Sequence, residues 1–352
     1  VLRAGLISKR VAMPKRNTHF FEAVLERRFG QSTCFLCGCR LTTHNRRDEH
    51  VFPKWLQKQY GLWDETLVLL NRTTIPYRKL TVPCCKDCNS KHLEPFEKLM
   101  ARAVREGPRA VRALKPYDVF IWLGKIFYGL LYRELFLPWD RTRKIKGNIA
   151  PKWLLKEYSM HHLFLQSVRV PMRFENFFPA SILILETEVP KGDPTTAWDF
   201  SDNPPTMSIG CRMGKVGIIC ALQDGGVQQQ LHFPQLQKTL PPKLDAMQFR
   251  EVMAKVRYMA GLFNRIPKYI IMGGSEGPYM VVQNPLQGFN SKPLFDPWEQ
   301  AEYAKVLSAM TRIPVEHLFS PPDLVWTWLV GNQRRVVPIS PSFARPHRGE
   351  RR

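Results

Sequence analysis

Cys34-Phe-Leu-Cys37, Asp48-Glu49-His50-Val51-Phe52-Pro53-Lys54-Trp55 and Pro83-Cys84-Cys85-Lys86-Asp87-Cys88-Asn89 follow one another within residues 34–89. Two Cys-x-x-Cys pairs thus bracket an acidic-His-apolar-x-Pro segment, and the second pair runs directly into Asn89. Paired Cys-x-x-Cys units can set four thiolates around one tetrahedral zinc. Gly38 after Cys37 suits the tight knuckle that such a unit needs. Six of the eight cysteines lie in this stretch, so one shared role accounts for them better than chance does.

Cys34, Cys37, Cys85 and Cys88 keep the two-residue spacing that turns both sulfurs of a knuckle onto one ion. Cys84 is one position out of that register, and Cys39 lies beyond the knuckle turn. Disulfides or buried free thiols are the competing reading. Disulfides need an oxidising compartment, and the first residues lack the apolar run of a secretory segment. Structural zinc and a cytoplasmic location are therefore expected.

The ordered set Cys-x-x-Cys, Glu-His-Val-Phe-Pro-Lys and Cys-x-x-Cys-Asn resembles the HNH endonucleases of the ββα-metal fold, in their zinc-containing form. The resemblance spans residues up to about 100. It implies that His50 is the general base, with Glu49 and Asn89 holding a divalent cation, Mg²⁺ or Mn²⁺, at the scissile phosphate. It also implies 5′-phosphate and 3′-hydroxyl products. The chain departs from the family in two places. The middle Asn has no obvious counterpart, Asn71 lying far upstream of the second cysteine pair, and the acid before the His is Glu49, with Asp48 beside it. Either acid could face the cation. His92, three residues after Asn89, is a further ligand or a solvated side chain.

The chemistry stands without the family name. Phosphodiester hydrolysis needs an activated water and relief of charge on the leaving oxygen. An imidazole with a pKa of about 6.5 accepts a proton from water at neutral pH. Carboxylate and amide oxygens suit a hard cation, whereas thiolates suit zinc, so the two metals keep separate sites.

Fifty-two basic residues against 30 acidic ones give a formal net charge of +22, the signature of a partner rich in phosphates. Charge alone does not separate DNA from RNA; the resemblance points to DNA. Arg102, Arg105, Arg109 and Arg112 recur at spacings of three and four, forming either a phosphate-contacting ridge or a solvated face. Arg141 to Lys146 is a second basic candidate.

The expected fold class is α+β: a zinc-stabilised ββα-metal (HNH) unit, then a helical segment and a small antiparallel sheet flanked by helices. Residues 1–19 read as a basic arm, 20–115 as the nuclease domain, 116–335 as an α+β domain that engages target or partner, and 336–352 as a Pro/Arg-rich disordered tail. A helix is expected over 20–29, an inserted loop or hairpin over 66–77, and a helix from Asn89 to about Arg105. Gly107-Pro108 should break that helix and open the next. The apolar run 119–137 approaches bilayer length, but Lys125, Arg133 and Glu134 interrupt it, so it reads as a buried core helix and no membrane is involved. A helix over 151–168 carries His161 and His162 in structural or surface roles. Strands are expected at 180–188, 206–210, 216–222 and 227–233, with Cys211 and Cys220 packed as small apolar residues and Pro241-Pro242 ending the sheet. Helices follow over 245–264 and 297–310. Gly273–Gly277 lacks the lysine of a phosphate loop.

The function so expected is a metal-dependent endonuclease acting alone, as a homodimer or with a protein partner. Its rivals are the nuclease subunit of a bacterial defence or mobile-element assembly, and a zinc-dependent nucleic-acid-binding protein without catalysis.

Overall fold

A computed structural model of the chain describes residues 20–21, 30–139, 147–149, 154–175, 177–265, 267–273, 278–283 and 293–329. The basic arm, the helix expected after Phe21, the Arg141–Lys146 loop, most of Gly273–Gly277 and the Pro/Arg-rich tail lie outside the described residues.

The fold is α+β with several small sheets. β1 (Glu49–His50) is followed by α1 (Lys54–Gln59) and a hairpin of β2 (Thr66–Val68) and β3 (Thr74–Pro76); β4 (Thr81–Val82) then returns antiparallel to β1, pairing His50 with Thr81. A π-helical turn at Cys88–Leu93 leads into α2 (Glu94–Glu106), which has Pro95 in its first turn where a missing N–H costs nothing. Gly107, at φ 107°, ends α2, and α3 (Pro108–Arg112) begins on the next residue. α4 (Pro116–Glu134) is buried over nearly its whole length. Among the described residues no helix is long and apolar enough to cross a membrane.

Two short helices, α5 (Leu154–Glu157) and α6 (Ser159–Leu165), precede β5 (Met172–Phe174). β6 (Ser181–Glu186), β7 (Trp198–Asn203), β8 (Ser208–Met213) and β9 (Val216–Ala221) form a four-stranded antiparallel sheet in the order β6-β9-β8-β7. Next come α7 (Val227–Leu231), α8 (Phe233–Thr239) and α9 (Ala246–Leu262). β10 (Tyr269–Met272) and β11 (Tyr279–Gln283) join β5 in a three-stranded sheet in which β11 and β5 run parallel. α10 (Gln300–Thr311), α11 (Val315–Leu318) and a small pair, β12 (Phe319–Ser320) with β13 (Leu324–Val325), complete the described chain.

The segment 227–233 corrects the expected strand: it is α7 running into α8. Asp224 is the reason, for its carboxylate accepts hydrogen bonds from the backbone N–H groups of Gly226 and Gln228 and so starts a helix. Gln228, Gln229 and Gln230 then favour helix over strand. The sheet accordingly ends at Ala221 rather than near Pro241. β7 was hidden by its two aspartates, of which Asp199 is buried against Arg250 at 2.6 Å.

One core joins the cysteine region, α4 and one face of the four-stranded sheet, where Phe52 meets Trp198 and Phe200 edge-on. The opposite face packs α9 and α10 through Leu183, Ile219, Phe249 and Leu307. Cys211 and Cys220 are fully buried apolar members of the sheet, as expected.

Candidate active site and metal centre

The two cysteine knuckles meet because the backbone between them is laced together. Phe35 N–H donates to the Pro83 carbonyl, and Arg47 N–H to that of Cys84. The sulfurs of Cys34, Cys37, Cys85 and Cys88 consequently lie within 4.8 Å of one another, Cys37 and Cys85 at 3.8 Å. A tetrahedral zinc with Zn–S of about 2.3 Å sets its sulfurs about 3.8 Å apart, so these residues fit the ion. The backbone N–H groups of Cys85 and Cys88 point at the sulfurs of Cys34 and Cys85, each at 3.4 Å. Among the described residues this is the one group of three or more His, Cys, Asp or Glu side chains that converge so. Cys84, with its sulfur 4.0 Å from that of Cys34, stays outside it.

β1 carries Glu49 and His50 to a cavity of about 460 Å³, which Asn89 reaches from the π-helical turn and Glu97 from α2. Asn89 Nδ2 donates to Glu49 Oε2 at 2.5 Å. Asp48 instead pairs with Arg46, Nε to Oδ1 at 2.8 Å, so Glu49 is the acid that meets Asn89. His50 is half-buried, and its ring lies nearly parallel to that of Trp63, with centroids 6.3 Å apart. Burial first, and then the charge of Lys54, lower the His50 pKa and favour the neutral imidazole.

Behind β1 stands a group that sequence patterning passed over. Lys125, only 4% exposed at its side chain, reaches from α4 to Glu49 Oε1 at 2.8 Å, Glu97 Oε1 at 2.5 Å and the His50 carbonyl at 3.0 Å. Burial opposes its charge, but the two carboxylates outweigh burial and raise its pKa. Burial pushes the Glu97 carboxyl up to about 7 against the pull of Lys125. The sequence did carry a signal for Lys125: a lone lysine in an apolar helix must find a partner.

The remaining candidates separate. Arg105 lines the cavity, together with Arg47, Lys54 and Lys98. Arg102 faces Glu106 at 4.0 Å, and Arg109 is exposed. Arg112 turns to the sheet edge, where its Nε and Nη2 donate to the Ile184 carbonyl at 3.4 and 3.3 Å. The four arginines are therefore not one uniform ridge. Asn71 belongs to the β2–β3 turn, its amide donating to the Pro138 carbonyl. His92 donates to the Val168 carbonyl from a half-buried position.

Chemically, the cavity offers a neutral imidazole, hard oxygen donors and a cationic rim beside a soft four-sulfur centre. In comparisons with known proteins, no family model, no curated protein and no solved structure matches this chain.

Proposed function

We propose that the chain is a zinc-stabilised endonuclease of the HNH type that hydrolyses DNA phosphodiester bonds with the help of Mg²⁺ or Mn²⁺. The observation that carries this reading is the meeting of His50, Glu49 and Asn89 at one basic-rimmed cavity. The order of a strand bearing the acid-His pair, an antiparallel return strand and then a helix supports a ββα unit, with α1 and the hairpin inserted between the strands. The four-sulfur centre supports the zinc-containing form.

His50 takes a proton from the water that attacks phosphorus, and its depressed pKa keeps it ready to do so at neutral pH. Glu49 and the amide oxygen of Asn89 supply two hard ligands. That number suits Mg²⁺, which takes one or two protein oxygens and fills its shell with water and phosphate oxygens. The cation would supply charge stabilisation for the leaving 3′-oxygen. Arg105, Arg47 and Lys54 grip the flanking phosphates through charge-assisted contacts.

The test is incubation of the protein with plasmid DNA, with and without Mg²⁺ or Mn²⁺, beside His50→Ala. Cleavage that needs the cation and falls a hundred-fold or more in the variant is expected, the usual scale of general-base catalysis being roughly 10²–10⁴. DNA binding without cleavage under any of these conditions would favour the non-catalytic zinc-dependent binder.

A further inference from the structure

The apolar helix α4 reads as plain core, yet at Lys125 it places a cation directly behind β1. Three bonds converge on the Lys125 ammonium, and they address the two consecutive residues of the proposed hydrolytic pair. One goes to the Glu49 carboxylate, one to the His50 backbone carbonyl, and the third to Glu97 on α2. An ammonium has three donors, so the group is saturated. Glu49 is thereby held from both sides, Oε1 by Lys125 and Oε2 by Asn89, which fixes the plane of its carboxylate. The approach is close by construction. Gly129, one turn further along α4, leaves room for Val51, and a Cβ there would stand 3.2 Å from Val51 Cγ2.

We infer that Lys125 is the positioning residue of the hydrolytic centre, clamping Glu49, His50 and Glu97 so that a divalent cation meets a prearranged carboxylate. The inference rests on the nuclease reading given above. A purely stabilising role explains the arrangement poorly. Buried ion pairs are weak sources of stability, and apolar replacements of whole pairs are often neutral. The triad does something an apolar core would not: it ties α2, α4 and β1 to the same charged atom. It also gathers two carboxyl groups around one ammonium beside the cavity where Glu49 and Asn89 stand. Sites whose first ligands are locked by a second layer of hydrogen bonds hold metals better, and losing such a partner typically costs 10- to 100-fold in affinity or activity.

The experiment compares the full chain with Lys125→Met and with the double variant Lys125→Met/Glu97→Gln, in which no second buried carboxylate is left unpaired. Zinc content and melting temperature report folding, Mn²⁺ binding is followed by electron paramagnetic resonance without DNA, and kcat and KM are measured on plasmid DNA. The inference expects Mn²⁺ binding weakened at least threefold and kcat down at least tenfold, with zinc content and KM for DNA unchanged. Should Lys125→Met not fold, the double variant decides. A folded variant with parental Mn²⁺ binding and kcat, or with tighter Mn²⁺ binding, would overturn the clamp while leaving the nuclease reading intact. A parent that cuts no DNA, but whose Mn²⁺ binding weakens on losing Lys125, would retire the nuclease reading and keep the clamp.

Discussion

Cys84 precedes Cys85 by one position, is fully buried, and has its sulfur 4.0 Å from that of Cys34, yet the converging group excludes it. The spacing rule makes that distinction before any coordinates do, because two residues between ligands is a local property of the knuckle. Cys34→Ser and Cys88→Ser should therefore lose the tightly bound zinc and lower the melting temperature, since structural zinc contributes folding free energy on the order of 10 kcal/mol. Cys39→Ser should do neither, and metal analysis alongside calorimetry checks the contrast. Lys125 and Glu97 were less legible than the cysteines for a physical reason. Their pairing crosses 28 positions, and that of Lys125 with Glu49 crosses 76, so no local pattern records either contact. The lone lysine in an apolar run announced that some partner existed but not which one. At Asp48 and Glu49 the sequence left two equivalent acids. Their partners tell them apart, Arg46 for Asp48 and Asn89 with Lys125 for Glu49.

Helix α4 is the element on which both the core and the proposed site depend, and two glycines let its neighbours in. A Cβ at Gly124 would stand 2.8 Å from the His161 ring on α6, and one at Gly129 would press on Val51 beside His50. Gly129→Ala should cost about 1–3 kcal/mol, the usual range for overpacking, with a disproportionate fall in cleavage because the displaced Val51 directly follows His50. Urea unfolding compared with turnover per folded molecule separates the two effects. On the α6 side, His161 is buried with its Nε2 donating to the Gly124 carbonyl, and burial holds its pKa down at about 4. An imidazole so depressed contributes stability that is complete above its unfolded pKa of about 6.5 and is lost as pH falls through 4. The stability difference between the parent and His161→Gln should therefore shrink on acidification across that window, by up to about 3 kcal/mol. Denaturant midpoints at pH 7.5 and pH 5 test this. Apolar length and periodicity made α4 and α9 readable in the sequence. α7 was not, because alternating residues after Asp224-Gly225-Gly226 suit a hairpin return as well as a helix, and the bonds that Asp224 accepts from Gly226 and Gln228 favour the helix.

At the scale of the whole molecule, the excess of positive charge has to be divided between residues that meet a polyanion and residues that hold the fold together. The formal charge of +22 makes no such division, and neither does the spacing of Arg102, Arg105, Arg109 and Arg112. Their surroundings do. Arg105 lines the cavity with Lys54 and Arg47, whereas Arg112 reaches across to the outer edge of the four-stranded sheet and satisfies the Ile184 carbonyl there. The two arginines should then fail differently. Each phosphate contact releases condensed counterions, so removing one should lower the slope of log affinity against log salt by about 1. Arg105→Ala and Lys54→Ala should each do this on duplex DNA, and the double variant by about twice as much, with melting temperature close to that of the parent. Arg112→Ala should leave the slope unchanged and reduce stability instead, because an edge carbonyl loses its donor and the anchoring of α3 to β6 is gone. Fluorescence anisotropy over a range of KCl concentrations, paired with thermal unfolding, reads both quantities on the same proteins. A lower slope for Arg112→Ala with unchanged stability would place the phosphate path along α3 and the sheet edge, away from the cavity that holds His50, and the proposed hydrolytic centre would then lie off the track of its substrate.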